Sequence, residues 1–169
     1  MTMPDPDSPT LRRARIAWCV YDWANSAFPT VIVTFVFSVY FVDGVAADKI
    51  TGTTQWAYAL SLSGIAIALL SPVLGSVADS AGRRKPWLAV FSAFTAIGAA
   101  LLWFSYPDPS FALYALVVFC IANISFEVAQ VFYNAMLPTI VSNEKIGRLS
   151  GWGWGLGYMG GLACLVLLL

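Results

Sequence analysis

The chain has 169 residues, of which 59% are hydrophobic and 11% charged, and its nine basic and nine acidic residues cancel in net charge. Soluble domains carry about 25% charged residues, so this composition excludes a soluble domain of any size. The sequence contains no histidine, and its three cysteines lack paired spacing. This excludes Ser-His and Cys-His nucleophile pairs, His-ligated metals, a disulfide framework and a zinc site.

Five apolar runs follow a polar N-terminal tail of residues 1–15. They cover about residues 16–42, 56–78, 87–106, 111–141 and 149–169. A helix needs about 20 apolar residues to cross a bilayer, so the sequence predicts an all-α, multi-pass membrane bundle with five transmembrane helices. At ~1.5 Å per residue, the fourth run is longer than a ~30 Å bilayer core requires. We expect it to tilt, to bend near Pro138 or to extend into the cytoplasm.

The basic residues predict the orientation of these helices. Only Lys49 falls between the first two runs. The other eight basic residues lie in the tail or in the second and fourth connecting segments: Arg12, Arg13, Arg15, Arg83, Arg84, Lys85, Lys145 and Arg148. Because Lys and Arg are retained on the cytoplasmic side of a membrane, we expect a cytoplasmic N-terminus, with the lipid bilayer as the partner of the apolar surface.

Polar side chains interrupt two of the apolar runs. In the first run, Asp22 and Asn25 are three residues apart and share a helix face. In the fourth run, a polar stripe with spacing i, i+4, i+7 and i+11 is formed by Asn123, Glu127, Gln130 and Asn134. Ionisable groups at membrane depth cost about 2.5–3.5 kcal/mol, so they suggest a function by default.

These six residues are candidates for binding a substrate or a coupling proton. Glu127 lies near the middle of its run with no basic residue nearby in sequence, so it is either protonated or paired across helices. A protonatable carboxylate there suits a coupling proton or a substrate amine. Alternatively, the stripe only joins helices through hydrogen bonds, and Asp22 snorkels or caps a helix. Bends at Pro29 and Pro138 have either a gating role or none.

The fifth run contains small residues at a spacing that favours close helix packing. Gly153, Gly157 and Gly161 are four residues apart and lie on one helix face. Small residues with this spacing let a second helix approach closely. We therefore expect a helix to pack against these three glycines.

The loop between the second and third runs has the form G-x-x-x-D-x-x-G-R-R-K, with Gly75, Asp79, Gly82, Arg83 and Arg84 at the fixed positions. It resembles the loop motif between helices two and three of the major facilitator superfamily. The resemblance implies a structural and gating role for these residues. The glycine allows close helix contact, the aspartate faces a helix N-terminus in the partner half, and the arginines latch the cytoplasmic side. The basic residue that usually follows the aspartate is a serine here.

Three further stretches narrow the resemblance. Residues 18–28, 82–87 and 147–158 look like the vacuole-effluxer-like branch of the superfamily, which is similar to autophagy-related vacuolar amino-acid exporters and has many bacterial members. This resemblance implies a carrier of twelve helices in two six-helix halves, with substrate near the midplane. It also implies that helices one, four and five line the cavity, and it favours a bacterial inner membrane as the location.

We therefore expect the N-terminal fragment of a secondary active transporter that moves a small solute by alternating access, with amino acids as the class that the family implies. The alternative is a truncated, transport-inactive half-carrier or a membrane scaffold, because five helices are fewer than one half of such a carrier. The expected protein partner is the missing C-terminal part of the same carrier. We expect no cofactor, no metal and no enzymatic activity. No basic patch with interleaved aromatic residues points to nucleic acid.

Overall fold

Five long helices account for most of the residues that the structure describes. The computed structural model describes residues 8–80 and 84–168, without the side chains of residues 78–80. The helices are α1 (Pro9–Val45), α2 (Lys49–Ser80), α3 (Arg84–Leu101), α4 (Ala112–Ile140) and α5 (Ile146–Leu168). All five are long and apolar enough to cross a membrane, and the described ranges contain no β-strand. The prediction of an all-α membrane bundle is therefore confirmed.

Side-chain caps fix where the first two helices begin. The Ser8 hydroxyl accepts a hydrogen bond of 3.4 Å from the N–H of Leu11 at the start of α1. The Asp48 carboxylate accepts hydrogen bonds of 3.0 Å from the N–H groups of Ile50 and Thr51 at the start of α2. The first N–H groups of a helix have no partner within it, so these caps stabilise the helix starts.

Helix α1 is not uniform along its length. It is α-helical over Pro9–Asn25, π-helical over Phe28–Phe35 and π-helical again over Phe41–Val45. Pro29 lies in the first turn of the first π-helical segment, where its lack of an N–H removes one α-helical hydrogen bond. The other proline at which we expected a bend, Pro138, lies inside α4, two residues before its end. The local change of helix type therefore occurs at the first of the two prolines.

Helix α4 lies at the centre of the bundle. It packs against α2 on one side and α3 on another, and it also contacts α1, while α5 runs along α1. Half of the most apolar stretch of α4 is buried within the bundle, whereas only 6% of that of α2 is buried. Helix α4 is therefore the most buried of the five helices, and α2 presents most of its surface to lipid or to further helices.

The two ends of the bundle differ in charge. Arg15, Arg84 and Arg148 lie at one end, which we call the basic end, and Asp48 and Asp108 lie at the other, which we call the acidic end. The acidic-end cluster of buried apolar side chains joins α1, α2 and α4 and consists of Phe37, Phe41, Val45, Trp56, Ala59, Leu102, Ala112, Ala115 and Phe119. The basic-end cluster joins α1 to α4 and consists of Trp18, Cys19, Tyr133 and Ile140.

Candidate functional site

An aromatic pair joins α1 to α4 within the basic-end cluster. The rings of Trp18 and Tyr133 are stacked, with centroids 4.3 Å apart and planes within 8° of parallel. The indole N–H of Trp18 donates to the Tyr133 carbonyl, and the Tyr133 hydroxyl donates to the Trp18 carbonyl, each at 3.2 Å. Both side chains are buried, so their polar atoms need these partners. The pair fixes α1 against α4 at this level of the membrane.

A second aromatic pair joins the same two helices closer to the acidic end. The rings of Phe28 and Phe126 have centroids 5.2 Å apart and pack with buried Ala122. Since α1 and α4 run in opposite directions, the two aromatic pairs enclose a short level of the bundle between them. We call this level, which comprises residues 19–27 of α1 and residues 127–132 of α4, the polar level.

The polar level holds four of the six predicted polar residues. Asp22 and Asn25 lie on α1 between its two aromatic contacts, and Glu127 and Gln130 lie on α4 between its own two. Asp22 is 8% exposed, and the other three side chains are half-buried. Residues more than a hundred positions apart in the sequence are therefore brought to the same depth.

Two amide atoms of the polar level are buried without a hydrogen-bond partner among the described residues. They are Nδ2 of Asn25, a donor, and Oε1 of Gln130, an acceptor. Leaving a buried polar group unpaired costs about 1–3 kcal/mol. Glu127 also makes no hydrogen bond or ion pair with any part of the chain that the structure describes. The polar level therefore has both donor and acceptor capacity that the helices do not use.

The other two residues of the α4 stripe lie outside the polar level. Asn123 is buried at 7% exposure, beyond Phe126 towards the acidic end. Asn134 is exposed, next to Tyr133 towards the basic end. The stripe therefore runs along α4 from the buried interior to the surface, and only its middle lies at the depth of the polar level.

The glycines of α5 lie against α1. A Cβ atom at Gly157 would lie 2.7 Å from both Oδ2 of Asp22 and Oγ of Ser26, and Cβ atoms at Gly153 and Gly161 would meet Trp18 and Thr30. Gly160, a neighbour that we did not single out, would meet the Trp23 carbonyl oxygen. A further set faces away from the other described residues: at Gly147, Gly151 and Gly155 such a Cβ would have no atom from elsewhere in the described chain within 4 Å. Asp22 therefore lies between α1 and α5.

Only part of the loop motif can be located. Gly82 and Arg83 lie outside the described residues, as does the side chain of Asp79. A Cβ at Gly75 would meet nothing within 4 Å, so the described residues make no close contact there. Arg84 donates from Nη1 to the Ala135 carbonyl at 2.6 Å, which ties the start of α3 to α4.

Three contacts at the basic end were missed by the sequence analysis. Arg15 donates from Nε to the Ile140 carbonyl at 2.8 Å, at the C-terminus of α4, where carbonyls lack helical partners and a cation is favourable. Arg84 contacts the same helix one turn earlier. The Tyr21 hydroxyl and the Ser92 hydroxyl are 2.7 Å apart and join α1 to α3. The sequence gives one signal for the first two contacts, because Arg15 and Arg84 each stand just before an apolar run.

Comparisons with known proteins identify a family and relatives to which this chain is similar. Residues 38–148 match the family described as "Vacuole effluxer Atg22 like". An uncharacterized MFS-type transporter, YxiO of Bacillus subtilis (strain 168), is 32% identical over 147 residues, which are 85% of this chain and 34% of that protein. An uncharacterized protein of Aquifex aeolicus (strain VF5) is 29% identical over 153 residues, 90% of this chain and 37% of that protein. No solved structure matches the chain significantly. The chain spans about a third of the length of these relatives.

Proposed function

The chain belongs to the vacuole effluxer Atg22-like family, and from this premise we propose that it forms the N-terminal part of a secondary transporter that moves a small solute across a membrane by alternating access. The observation that carries this proposal is the polar level between α1 and α4. It combines two carboxylates with two buried amide atoms that have no partner among the described residues. Each buried polar atom that has no partner costs free energy.

The cost of these groups supports a role in binding. Within a bilayer, a polar atom without a partner finds no water to replace it. Ionisable residues inside a membrane are therefore rare and are associated with substrate or proton pathways. A solute that brings a complementary donor and acceptor to the polar level would satisfy Asn25 and Gln130 and recover that cost.

The chemistry of the level favours an amino acid or a related zwitterion as the solute. The Asn25 amide donates to a carboxylate, and the Gln130 carbonyl oxygen accepts from an ammonium group. The carboxylate of Glu127 adds negative charge for the same ammonium group, and that of Asp22 lies at the same depth, against α5. Glu127 equally suits a coupling proton, since it has no basic partner among the described residues. Both roles place Glu127 at the centre of the transport step.

We also propose that the basic end faces the cytoplasm of a bacterial cell. Seven described basic residues lie at or near this end: Arg12, Arg13, Arg15, Arg84, Lys85, Lys145 and Arg148. The acidic end has Lys49, which pairs with Asp43 at 3.1 Å. This asymmetry follows the rule that basic residues stay on the cytoplasmic side, and both relatives come from bacteria.

A second candidate function is a transport-inactive half-carrier or membrane scaffold. The observation that favours it is the large apolar surface of α2 and α5, where Tyr58, Leu69, Tyr158 and Leu162 are each more than 60% exposed. Further helices of the same carrier would cover part of this surface. Transport would then require those helices as a partner.

Solute flux into proteoliposomes tests the proposal. The purified chain is reconstituted, and uptake of a labelled amino-acid mixture is compared for the wild type, Glu127→Gln and Glu144→Gln. Glu144 is an exposed carboxylate outside the apolar helices, so it controls for loss of charge alone. We expect Glu127→Gln to abolish flux and Glu144→Gln to leave it unchanged. Flux that survives Glu127→Gln in folded protein would refute the role of Glu127, and a wild type without flux would favour the half-carrier.

A further inference from the structure

The two carboxylates of the polar level lie in different surroundings. Asp22 is buried, and a Cβ atom at Gly157 of α5 would lie 2.7 Å from its Oδ2. Its neighbours on α1, Trp18 and Cys19, are buried as well. Glu127 is only half-buried. Glu127 is thus accessible to the ammonium group of a solute, whereas Asp22 is enclosed between α1 and α5, where a proton fits more readily than an ammonium group.

The hydrogen-bond donors near Asp22 are engaged elsewhere. The Ser26 hydroxyl donates to the backbone carbonyl of Asp22 at 2.8 Å. The Trp18 N–H and the Tyr133 hydroxyl each donate to a backbone carbonyl at 3.2 Å. The Asn25 amide nitrogen makes no hydrogen bond with the described residues. The Asp22 carboxylate therefore receives no hydrogen bond from the part of the chain that the structure describes, although its two oxygens could accept several.

No described cation compensates for the charge of Asp22 either. The ionisable side chains that face it are Cys19 and Tyr21 on α1 and Tyr133 on α4. None of these is basic, α5 presents Gly157 on this side, and no basic residue of the described ranges pairs with Asp22. A charged carboxylate without a donor or a cation is costly inside a bilayer, and such a group becomes neutral by taking up a proton.

We propose that Asp22 is the proton-binding residue of the polar level, which leaves Glu127 to hold the ammonium group of the solute. For its role in transport, this inference rests on the proposed function. Close packing of α5 against Asp22 favours the neutral carboxyl group, and an arrangement in which water reaches Asp22 favours the charged one. Uptake and release of the proton are therefore linked to the contact between α1 and α5.

Infrared spectroscopy of the chain in lipid nanodiscs detects the bound proton directly, because a neutral carboxyl group absorbs at a different frequency from a carboxylate. Spectra are recorded from about pH 5 to about pH 9. We expect the wild type to show a band of a neutral carboxyl group that is lost at high pH. Asp22→Asn should lack this band, and Glu127→Gln should keep it. A wild type without the band, a band that persists in Asp22→Asn, or one that Glu127→Gln removes would overturn the proposal.

Two glycine variants test the same site without altering the carboxyl group, and they decide the question if Asp22→Asn does not fold. Gly157→Ala places a methyl group against Oδ2 of Asp22, so it should shift the frequency of the band. Gly155→Ala is the matched control, because a Cβ there meets no atom from elsewhere in the described chain, and it should leave the band unchanged. Equal shifts in both variants, or no shift in either, would contradict the assignment to Asp22.

Flux of the labelled amino-acid mixture into proteoliposomes separates this inference from the proposed function. We expect wild-type flux to change several-fold when a pH gradient is imposed, and flux through Asp22→Asn to be the same with and without the gradient. Glu144→Gln, which alters an exposed carboxylate, should respond as the wild type does. Wild-type flux that ignores the gradient would refute the coupling role of Asp22 and leave the proposed function standing. An Asp22 band in a wild type without flux would confirm the proton site and refute the proposed function.

Discussion

The two ends of the bundle are held together by different forces. At the acidic end, the centroid of the Trp56 ring lies 4.1 Å from that of the Phe119 ring and 5.6 Å from that of the Phe41 ring, in a cluster of apolar side chains. At the basic end, Trp18 and Tyr133 exchange two hydrogen bonds with each other's backbone. The acidic end is thus packed mainly through apolar side chains, and the basic end also depends on hydrogen bonds that α1 and α4 exchange.

This difference has a physical consequence in a membrane. Lipid tails are as apolar as the side chains that they surround, so helix association there depends on close packing and on hydrogen bonds. Separating packed apolar side chains loses their van der Waals contacts, and separating hydrogen-bonded groups leaves polar atoms that no water can satisfy within the bilayer core. Loss of a contact therefore acts differently at the two ends. It opens a cavity in the apolar cluster at the acidic end, and at the basic end it leaves a buried polar group unpaired between α1 and α4.

The largest expected effect comes from opening the acidic-end cluster with Trp56→Ala. Removing a buried aromatic side chain leaves a cavity and costs about 3 kcal/mol. Thermal unfolding of the chain in mild detergent measures the loss. Trp103→Ala is the matched control, because Trp103 lies at the same end and is 86% exposed. Equal destabilisation by both variants would mean that the acidic-end cluster does not hold this end.

The next effect concerns how α5 holds α1. Gly160→Ala puts a methyl group against the Trp23 carbonyl oxygen, a backbone atom that cannot turn aside, and overpacking of this kind costs about 2 kcal/mol. Gly155→Ala, on the open face of α5, should instead stabilise the chain by about 0.5 kcal/mol, since alanine favours the helix. Unfolding of the two variants in the same detergent gives the comparison. Changes of the same sign would contradict the packing of α5 on α1.

A smaller effect distinguishes the ends directly. Tyr133→Phe removes the hydrogen bond to the Trp18 carbonyl at the basic end, and Tyr40→Phe removes the 2.6 Å hydrogen bond to the Ser105 carbonyl at the acidic end. Each should cost about 1 kcal/mol of stability. We expect only Tyr133→Phe to change solute flux as well. If Tyr40→Phe changes flux equally, the two ends do not differ in function.

The sequence predicted the helices well because a membrane permits few alternatives. Backbone polar groups must be paired within each span, so the length of an apolar run and its flanking charges nearly determine the element. The polar stripe of α4 followed from helical spacing alone. The glycine face of α5 that carries Gly157 was predicted in the same way. The sequence did not indicate that Asp22 lies against this face.

The contacts between helices were not predictable in the same way. Arg15 and Ile140 are 125 residues apart, and Trp18 and Tyr133 are 115 residues apart. The spacing of residues along a helix indicates which of them share a face. It does not indicate which other helix packs against that face. Pro29 marked a local disturbance of α1, yet the π-helical form it takes depends on the packing of the turns around it.

The smallest expected effect tests the acidic end through the pH dependence of stability. Hydrogen bonds from the Thr51 hydroxyl, and from the N–H groups of Thr51 and Ile50, hold the pKa of Asp48 below its usual value. Folding therefore favours the charged carboxylate. The stability that this cap contributes is present above the usual carboxyl pKa of about 3.9, and it is lost as the pH falls through the lower pKa of the folded state.

The thermal midpoint of the chain, measured from pH 6 down to about pH 3, shows whether this is so. Asp48→Asn keeps one acceptor for the N–H groups but loses the charge and the second acceptor oxygen that bonds the Thr51 hydroxyl. Its midpoint should therefore lie slightly below that of the wild type near pH 6, and the difference should shrink as the pH falls. Because Asp48 is fully exposed, the difference should be small. A wild type and a variant that fall in parallel would show that Asp48 does not stabilise the start of α2 through its charge.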